Sequence, residues 1–389
     1  MILDRPTNKA RLQSSFFLAA IAGAAIVAIG WVLGWFYVSE FFRAYLVAWL
    51  YLLAIPLGSL MLLLLHNLTG GAWGWVSRHL LLATASTLPL VGVLFLPIAF
   101  GLAEIYPWTD QVQMASDAML AHKARYLNVW WFFLRMGVYW LVWLALLLLV
   151  RMSSRRAYAS ETSAARRIRV ASGVGLALSG LAITFASFDL GMSLEPLWYS
   201  TIYGVIFFVG QGLAALAFTI VALAYWPPVE HALVSAGPDD FHDLGKLLLA
   251  FTMFWAYVSF SQFLIIWYGN IPEEVIWYQR RFAQGWQWVA IGVAVFHFML
   301  PFVVLLGRGI KRQARPLAAV ALWILAMRWL DTVWQIEPAF EREGFFAPWL
   351  DLAITAALGG VWLLYFTWLV APVAVPMRSR AEQEDFGDE

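Results

Sequence analysis

The feature that most constrains this chain is a series of long apolar runs, about ten of them, each close to the roughly 20 residues a helix needs to cross a bilayer core. Inside lipid every backbone N–H and C=O must find its partner within the segment, so runs of this length predict helices rather than strands. They are Ser15 to Tyr37, Arg43 to Leu65, Leu80 to Leu102, Tyr126 to Val150, Arg169 to Leu190, Trp198 to Tyr225, Asp243 to Tyr268, Gly285 to Leu306, Leu317 to Trp334 and Trp349 to Val370. The expected fold is an all-α integral membrane protein. A segment 1–14, a ten-helix membrane domain 15–370 and an acidic tail 371–389 make up the chain. The tail is expected to be disordered.

Composition agrees with that reading. Hydrophobic residues make up 62% of the chain and charged ones 13%, about half the roughly 25% usual in soluble domains. With no cysteine, the chain offers no disulfide, no thiolate metal site and no ligands for an iron–sulfur cluster. A net charge of +1 gives no basic face for nucleic acid. Arg5, Lys9 and Arg11 before the first run resemble the start of a signal peptide, but the apolar stretch exceeds a signal core, so a retained helix is expected.

Lysine and arginine crowd alternate connections. Arg151, Arg155, Arg156, Arg166, Arg167 and Arg169 fall in one such connection, and Arg308, Lys311, Arg312 and Arg315 in another. By the positive-inside rule these connections, and both termini, are expected on the cytoplasmic side. Many tryptophans, such as Trp31, Trp73, Trp130 and Trp286, sit near span ends, where they serve as interfacial anchors.

An ionisable side chain at mid-membrane costs about 2.5 to 3.5 kcal/mol on insertion scales, so each one placed there needs a partner or a task. Orienting the helices sorts them into two groups. The outer group is Arg135, Asp189, Arg328 and Asp331, two positive and two negative. Arg328 and Asp331 share a helical face at i and i+3, and could pair locally or bridge to Asp189 and Arg135. Such a set is either an ion network locking helices together or a polar exit path for protons. The inner group is His242, Asp243 and Lys246, with Met253, Tyr257 and Ser261 continuing the stripe at helical spacing. It reads either as an inner half-channel or as a salt bridge opening a helix. His297 lies near mid-membrane, as a relay between the groups or as a satisfied buried histidine. Of the six histidines only His66, at the inner end of the second span, and His297 are plausible haem ligands, and their depths differ, which predicts no haem pair; no metal site is expected.

Several local signatures then carry a resemblance. They are Phe188-Asp-Leu-Gly-Met-Ser-Leu-Glu195-Pro-Leu-Trp-Tyr-Ser-Thr-Ile-Tyr-Gly204, Phe241-His-Asp-Leu-Gly-Lys-Leu-Leu248, Phe254-Trp-Ala-Tyr-Val-Ser-Phe-Ser-Gln262 and Trp267-Tyr-Gly-Asn-Ile-Pro-Glu-Glu274. Leu96-Pro-Ile-Ala-Phe-Gly, Tyr106-Pro-Trp108, His297-Phe-Met-Leu-Pro301 and Arg328-Trp-Leu-Asp-Thr-Val-Trp334 add to them. Together they resemble the ActF membrane subunits of alternative complex III, a bacterial quinol:cytochrome c oxidoreductase, within the NrfD or polysulfide-reductase class. Leu197 departs from the polar residue that many ActF chains carry.

The resemblance implies two four-helix bundles, spans two to five and six to nine, flanked by the first and last spans. It implies the bacterial inner membrane as location. It also implies a proton path without a redox cofactor of the chain's own. Quinol would be the substrate of the complex, with haem c and iron–sulfur clusters in its partners. The implied partners are an iron–sulfur protein, multihaem cytochrome c subunits, a sister quinol-oxidising NrfD-like subunit, in some settings a terminal oxidase, and lipid. Two alternatives stand beside the path. One is a purely structural anchoring subunit, and the other is quinol binding by this chain around Glu195, Trp198 and Tyr199.

Overall fold

The computed structural model describes residues 38–115, 118–156, 162–225, 236–340 and 349–370. Among the described residues the chain is helical almost throughout, without strands, and nine helices are long and apolar enough to cross a membrane, as in a multi-pass membrane protein. The first expected span, Ser15 to Tyr37, and the acidic tail lie outside the described residues.

The helices are α1 (Val38–Thr69), α2 (Ala72–Phe100), α3 (Val129–Arg156), α4 (Thr162–Leu190), α5 (Tyr203–Tyr225), α6 (Pro238–Gly269), the short α7 (Pro272–Arg281), α8 (Trp286–Leu306), α9 (Ala314–Ile336) and α10 (Trp349–Val370). Side-chain bonds tie their ends into two sets. Arg43–Glu337, Lys123–Pro196, Arg135–Asp189 and Arg281–Gln335 gather at what we term the looped end, where connections 101–128, 191–202 and 270–285 lie. Arg78–Asn67, Asn67–Ser172 and Arg312–Asp239 gather at the opposite, basic end.

α1 is the central post, almost wholly buried, and packs against α2, α4, α5 and α10. Its closest approach is to α5. A Cβ on Gly58 would lie 1.9 Å from the Gln211 carbonyl oxygen, and one on Gly212 would lie 2.3 Å from the Met61 methyl. Small residues permit this contact, the usual means of bringing helices together in lipid, where apolar burial gives no preference for protein over acyl chain.

α2 is built from three pieces, Ala72–Ala85, Leu88–Val93 and Leu96–Phe100. Pro89 and Pro97 sit at the starts of the second and third pieces, where the missing N–H breaks the ladder. The Phe95 amide turns to the Gly92 carbonyl, and α1 satisfies two carbonyls in this stretch: Trp49 Nε1 donates to Val91 O at 2.9 Å and Tyr45 OH to Leu94 O at 2.9 Å.

α8 contains a wide π turn over Val293–Met299. Its cause is readable in the sequence: Pro301 has no amide hydrogen to give the His297 carbonyl four residues earlier. The Phe296 carbonyl in this turn accepts instead from Trp323 Nε1 of α9 at 2.8 Å. Such turns present a side chain that a regular helix would aim elsewhere, and here they carry His297 into the interior, 0% exposed.

Candidate functional site

Besides the Arg43–Glu337 pair, three buried charged clusters stand in the half of the molecule nearer the looped end. The deepest is on α9. Arg328 and Asp331 lie one turn apart, the guanidinium Nη1 donating to Asp331 Oδ2, and Gln335, one turn further, donates Nε2 to the same oxygen at 2.8 Å. Arg328 reaches this position because α5 offers Gly210, where a Cβ would come within 2.6 Å of the guanidinium. His297 lies within electrostatic reach of Arg328, its imidazole edge-on to Trp255 with ring centroids 4.3 Å apart. Among the described residues neither ring nitrogen of His297 has a hydrogen-bond partner.

The second cluster joins α3 to α4. Asp189, 0% exposed, takes a bidentate grip from Arg135, with Nε at 2.9 Å and Nη2 at 2.7 Å, and a third bond from Tyr139 OH at 2.8 Å. A two-pronged charge-assisted contact is the strong geometry for such a pair. Arg135 also lies 3.7 Å from the Tyr126 ring centre and donates to the Tyr126 carbonyl.

The third cluster has no counterpart among the pairs expected from helical spacing. Glu195 accepts from Arg281 Nη1 at 2.9 Å, and Arg280 approaches its other oxygen at 3.5 Å. Arg281, 1% exposed, also donates to Gln335 O at 2.6 Å and lies over the Trp277 ring at 3.6 Å. Burial pulls its guanidinium below the ordinary value, and Glu195 opposes that pull. Trp277 in turn stacks on Trp198 at 4.9 Å. The region expected around Glu195, Trp198 and Tyr199 therefore divides. Glu195 and Trp198 are closed in packing, because α7 lays Arg281 and Trp277 over them, and Tyr199 stays half-exposed under Lys123. Tyr199 lines a surface pocket of about 120 Å³ with Ser200, Gln262, Ile265 and Glu274.

Of the two arrangements open to the outer residues, local pairing or bridging, the structure has two separate pairs, Arg135 with Asp189 and Arg328 with Asp331. A small interior cavity is lined by Arg328, Thr332 and Gln335 of α9, Gln211 of α5, and Ser187 and Leu190 of α4, the sequence neighbours of Asp189.

The inner stripe is not enclosed within this chain. His242 and Asp243 are partly exposed, Lys246 and Asp243 form an exposed pair at 3.0 Å, Tyr257 is 69% exposed, and Ser261 is half-buried. The face of α6 that turns inward instead carries Phe241, Leu244, Gly245, Leu248, Thr252, Trp255 and Gln262. Helical spacing does place His242, Lys246, Tyr257 and Ser261 together, but on the outward side. At that end His66, seated against Gly74, accepts from Arg78 at Nδ1 and donates from Nε2 to Gly71 O at 3.1 Å, which fastens the α1–α2 corner.

Buried tyrosines outside the spans predict a pH limit. Burial raises Tyr106 and Tyr278 well above their ordinary value, and Tyr126, 39% exposed, is pushed up to about 12 by partial desolvation and by Asp189. A folded-state pKa above the unfolded one gives stability that is whole below pH about 10 and lost as pH rises through the folded values. Native protein titrated in detergent should show tyrosinate absorbance for these groups only near pH 12 and above, together with unfolding; their titration near pH 10 while still folded would contradict the burial.

Compared with models of known protein families and with curated proteins, the chain finds no match.

Proposed function

We propose that this chain is a membrane subunit of a quinol-oxidising respiratory complex of the alternative complex III kind, and that it supplies a polar route for protons in the half of the membrane nearer the looped end. The observation that carries the reading is the buried Arg328–Asp331–Gln335 cluster beside the unpartnered His297. Buried ionisable groups in a membrane interior mark proton or ion routes more often than ordinary packing does. Two sets of neighbours fit the resemblance, α1 to α4 and α5, α6, α8 and α9, with α10 set against α1 and α2; the most extensive packing of all, α1 against α5, joins the two sets. We place the basic end in the cytoplasm of a bacterial inner membrane.

On this reading Asp331 is the exchanging group, with Arg328 balancing its charge and Gln335 orienting it. Asp189 gates the looped end. His242, Asp243, Lys246, Tyr257 and Ser261 serve as an inner half-path only when a partner subunit covers the outward face of α6. Electrons stay with the partners, among them the iron–sulfur protein, the multihaem cytochromes and the sister quinol-oxidising subunit. Coupling is electrostatic or conformational.

A second reading, quinol binding by this chain, is favoured by one observation. The pocket at Tyr199, Gln262 and Glu274 offers hydrogen-bonding groups beside the apolar Ile202, Ile265 and Ile266. Gentle purification of the tagged native chain, mass spectrometry of what accompanies it and a quinol:cytochrome c assay test both. Recovery with iron–sulfur and multihaem subunits and quinol oxidation is the expected result. Recovery alone, or only with a terminal oxidase, would remove the complex assignment, and a quinol analogue that photolabels Tyr199 would move the quinol site to this chain.

A further inference from the structure

We propose that the interior cavity between α1, α4, α5 and α9 is a binding site for a single ordered water, held by Gln211, Arg328 and Gln335. The cavity has room for about 20 Å³. A water needs at least about 10 to 15 Å³ measured in this way, so the space takes one molecule and no larger ligand. Three residues of its lining are each more than nine-tenths buried and carry a side-chain atom with no partner among the described residues: Gln211 Oε1, Arg328 Nε and Gln335 Oε1.

The chemistry of these atoms fits water in particular. Gln335 gives its Nε2 to Asp331, which fixes its amide so that Oε1 is left as an acceptor. Arg328 gives Nη1 to the same carboxylate, which leaves Nε–H as a donor. One donor and two acceptors are the complement of a water that accepts one hydrogen bond and donates two. A cation is opposed by the guanidinium, and an anion by the two amide oxygens. Most of the remaining wall is apolar, Leu50, Leu53, Leu57 and Ile183 among it; the Ser187 and Thr332 hydroxyls donate to backbone carbonyls of their own helices, and the Trp143 indole N–H stands as a second unpartnered donor on the wall.

The site also has a place in the fold. It touches Arg328 of one pair and, at Ser187 and Leu190, the α4 turn that carries Asp189 of the other, two pairs that share no direct bond. Its role as the link between those pairs rests on the proton route proposed above. The water site itself does not.

The test is a structure of the purified native complex in lipid nanodiscs at a resolution that shows waters, paired with radiolytic footprinting in ¹⁸O-labelled water. The expected density lies within hydrogen-bond distance, about 2.7 to 3.2 Å, of all three atoms. The buried Trp143 ring on the cavity wall is expected to gain ¹⁸O on irradiation, and to lose that labelling several-fold in Gln211→Leu. Density showing the two amides turned onto one another with nothing between them, or no labelling of Trp143 in the wild-type complex, would overturn the site. Both wild-type readings decide the matter if Gln211→Leu fails to assemble. A water present in a complex that moves no protons would leave the site standing and remove only its role as a link.

Discussion

Replacing Arg328 alone with Met is expected to destabilise the chain by about 3 to 5 kcal/mol, while the double replacement Arg328→Met with Asp331→Leu recovers most of that loss. The asymmetry follows from desolvation. Asp331 is 1% exposed, and with the guanidinium gone it keeps the Gln335 amide in place of a counter-charge. A lone carboxylate in that position must either take up a proton or draw water inward. Removing both charges leaves no uncompensated ion, at the smaller cost of the acceptor that the Gln335 amide loses. Unfolding in mixed micelles with increasing dodecyl sulfate, with both single variants and the double one, reads the coupling directly. If the double variant is as unstable as the singles added together, the two groups do not act as a pair.

The second large effect is at the α1–α5 crossing. Gly58→Ala sets a methyl group 1.9 Å from a backbone carbonyl oxygen, and backbone has no side-chain rotamer with which to give way. The two helices must separate, and the separation loosens Gly212 against Met61 and Gly210 against Arg328, because all three contacts share α5. Overpacking of one methyl group costs about 1 to 3 kcal/mol, and Gly58→Leu should leave little folded protein. Thermal stability in detergent checks this: an unchanged midpoint for Gly58→Leu would mean that the helices are not in contact at that point.

Much of this arrangement is legible in the sequence. All nine expected spans that fall within the described residues coincide with helices to within several residues, because lipid leaves the chain no other backbone solution. The i, i+3 pair on α9 is legible for the same kind of reason, since helical spacing alone brings Arg328 and Asp331 to one face. The direction of the α6 stripe is not. In a soluble helix the polar face marks the outside, whereas in lipid both faces are apolar and the inward side is marked by small and amide residues such as Gly245, Thr252 and Gln262.

α7 leaves no trace among runs of about 20 apolar residues because it has only 10 residues and lies outside the spans. It carries other signals nonetheless: Pro272 at the start, Glu273 and Glu274 in the first turn, and Arg280 and Arg281 in the last. Even these do not give the Glu195–Arg281 pair, whose members are 86 positions apart and meet only through the packing of α7 on the 191–202 connection. The placing of His297 has a local signal in Pro301, four residues on, which removes a backbone donor and widens the turn.

The most direct measurement of a proton route is the number of protons released per electron by the purified complex in sealed proteoliposomes, wild type against Asp331→Asn. The amide keeps the volume and a hydrogen bond to Gln335 but cannot exchange a proton near neutral pH. If Asp331 carries protons, quinol oxidation continues while the release beyond that due to quinol itself falls severalfold. An unchanged proton-to-electron ratio in a fully assembled Asp331→Asn complex would contradict the route and leave the buried ions as a structural lock.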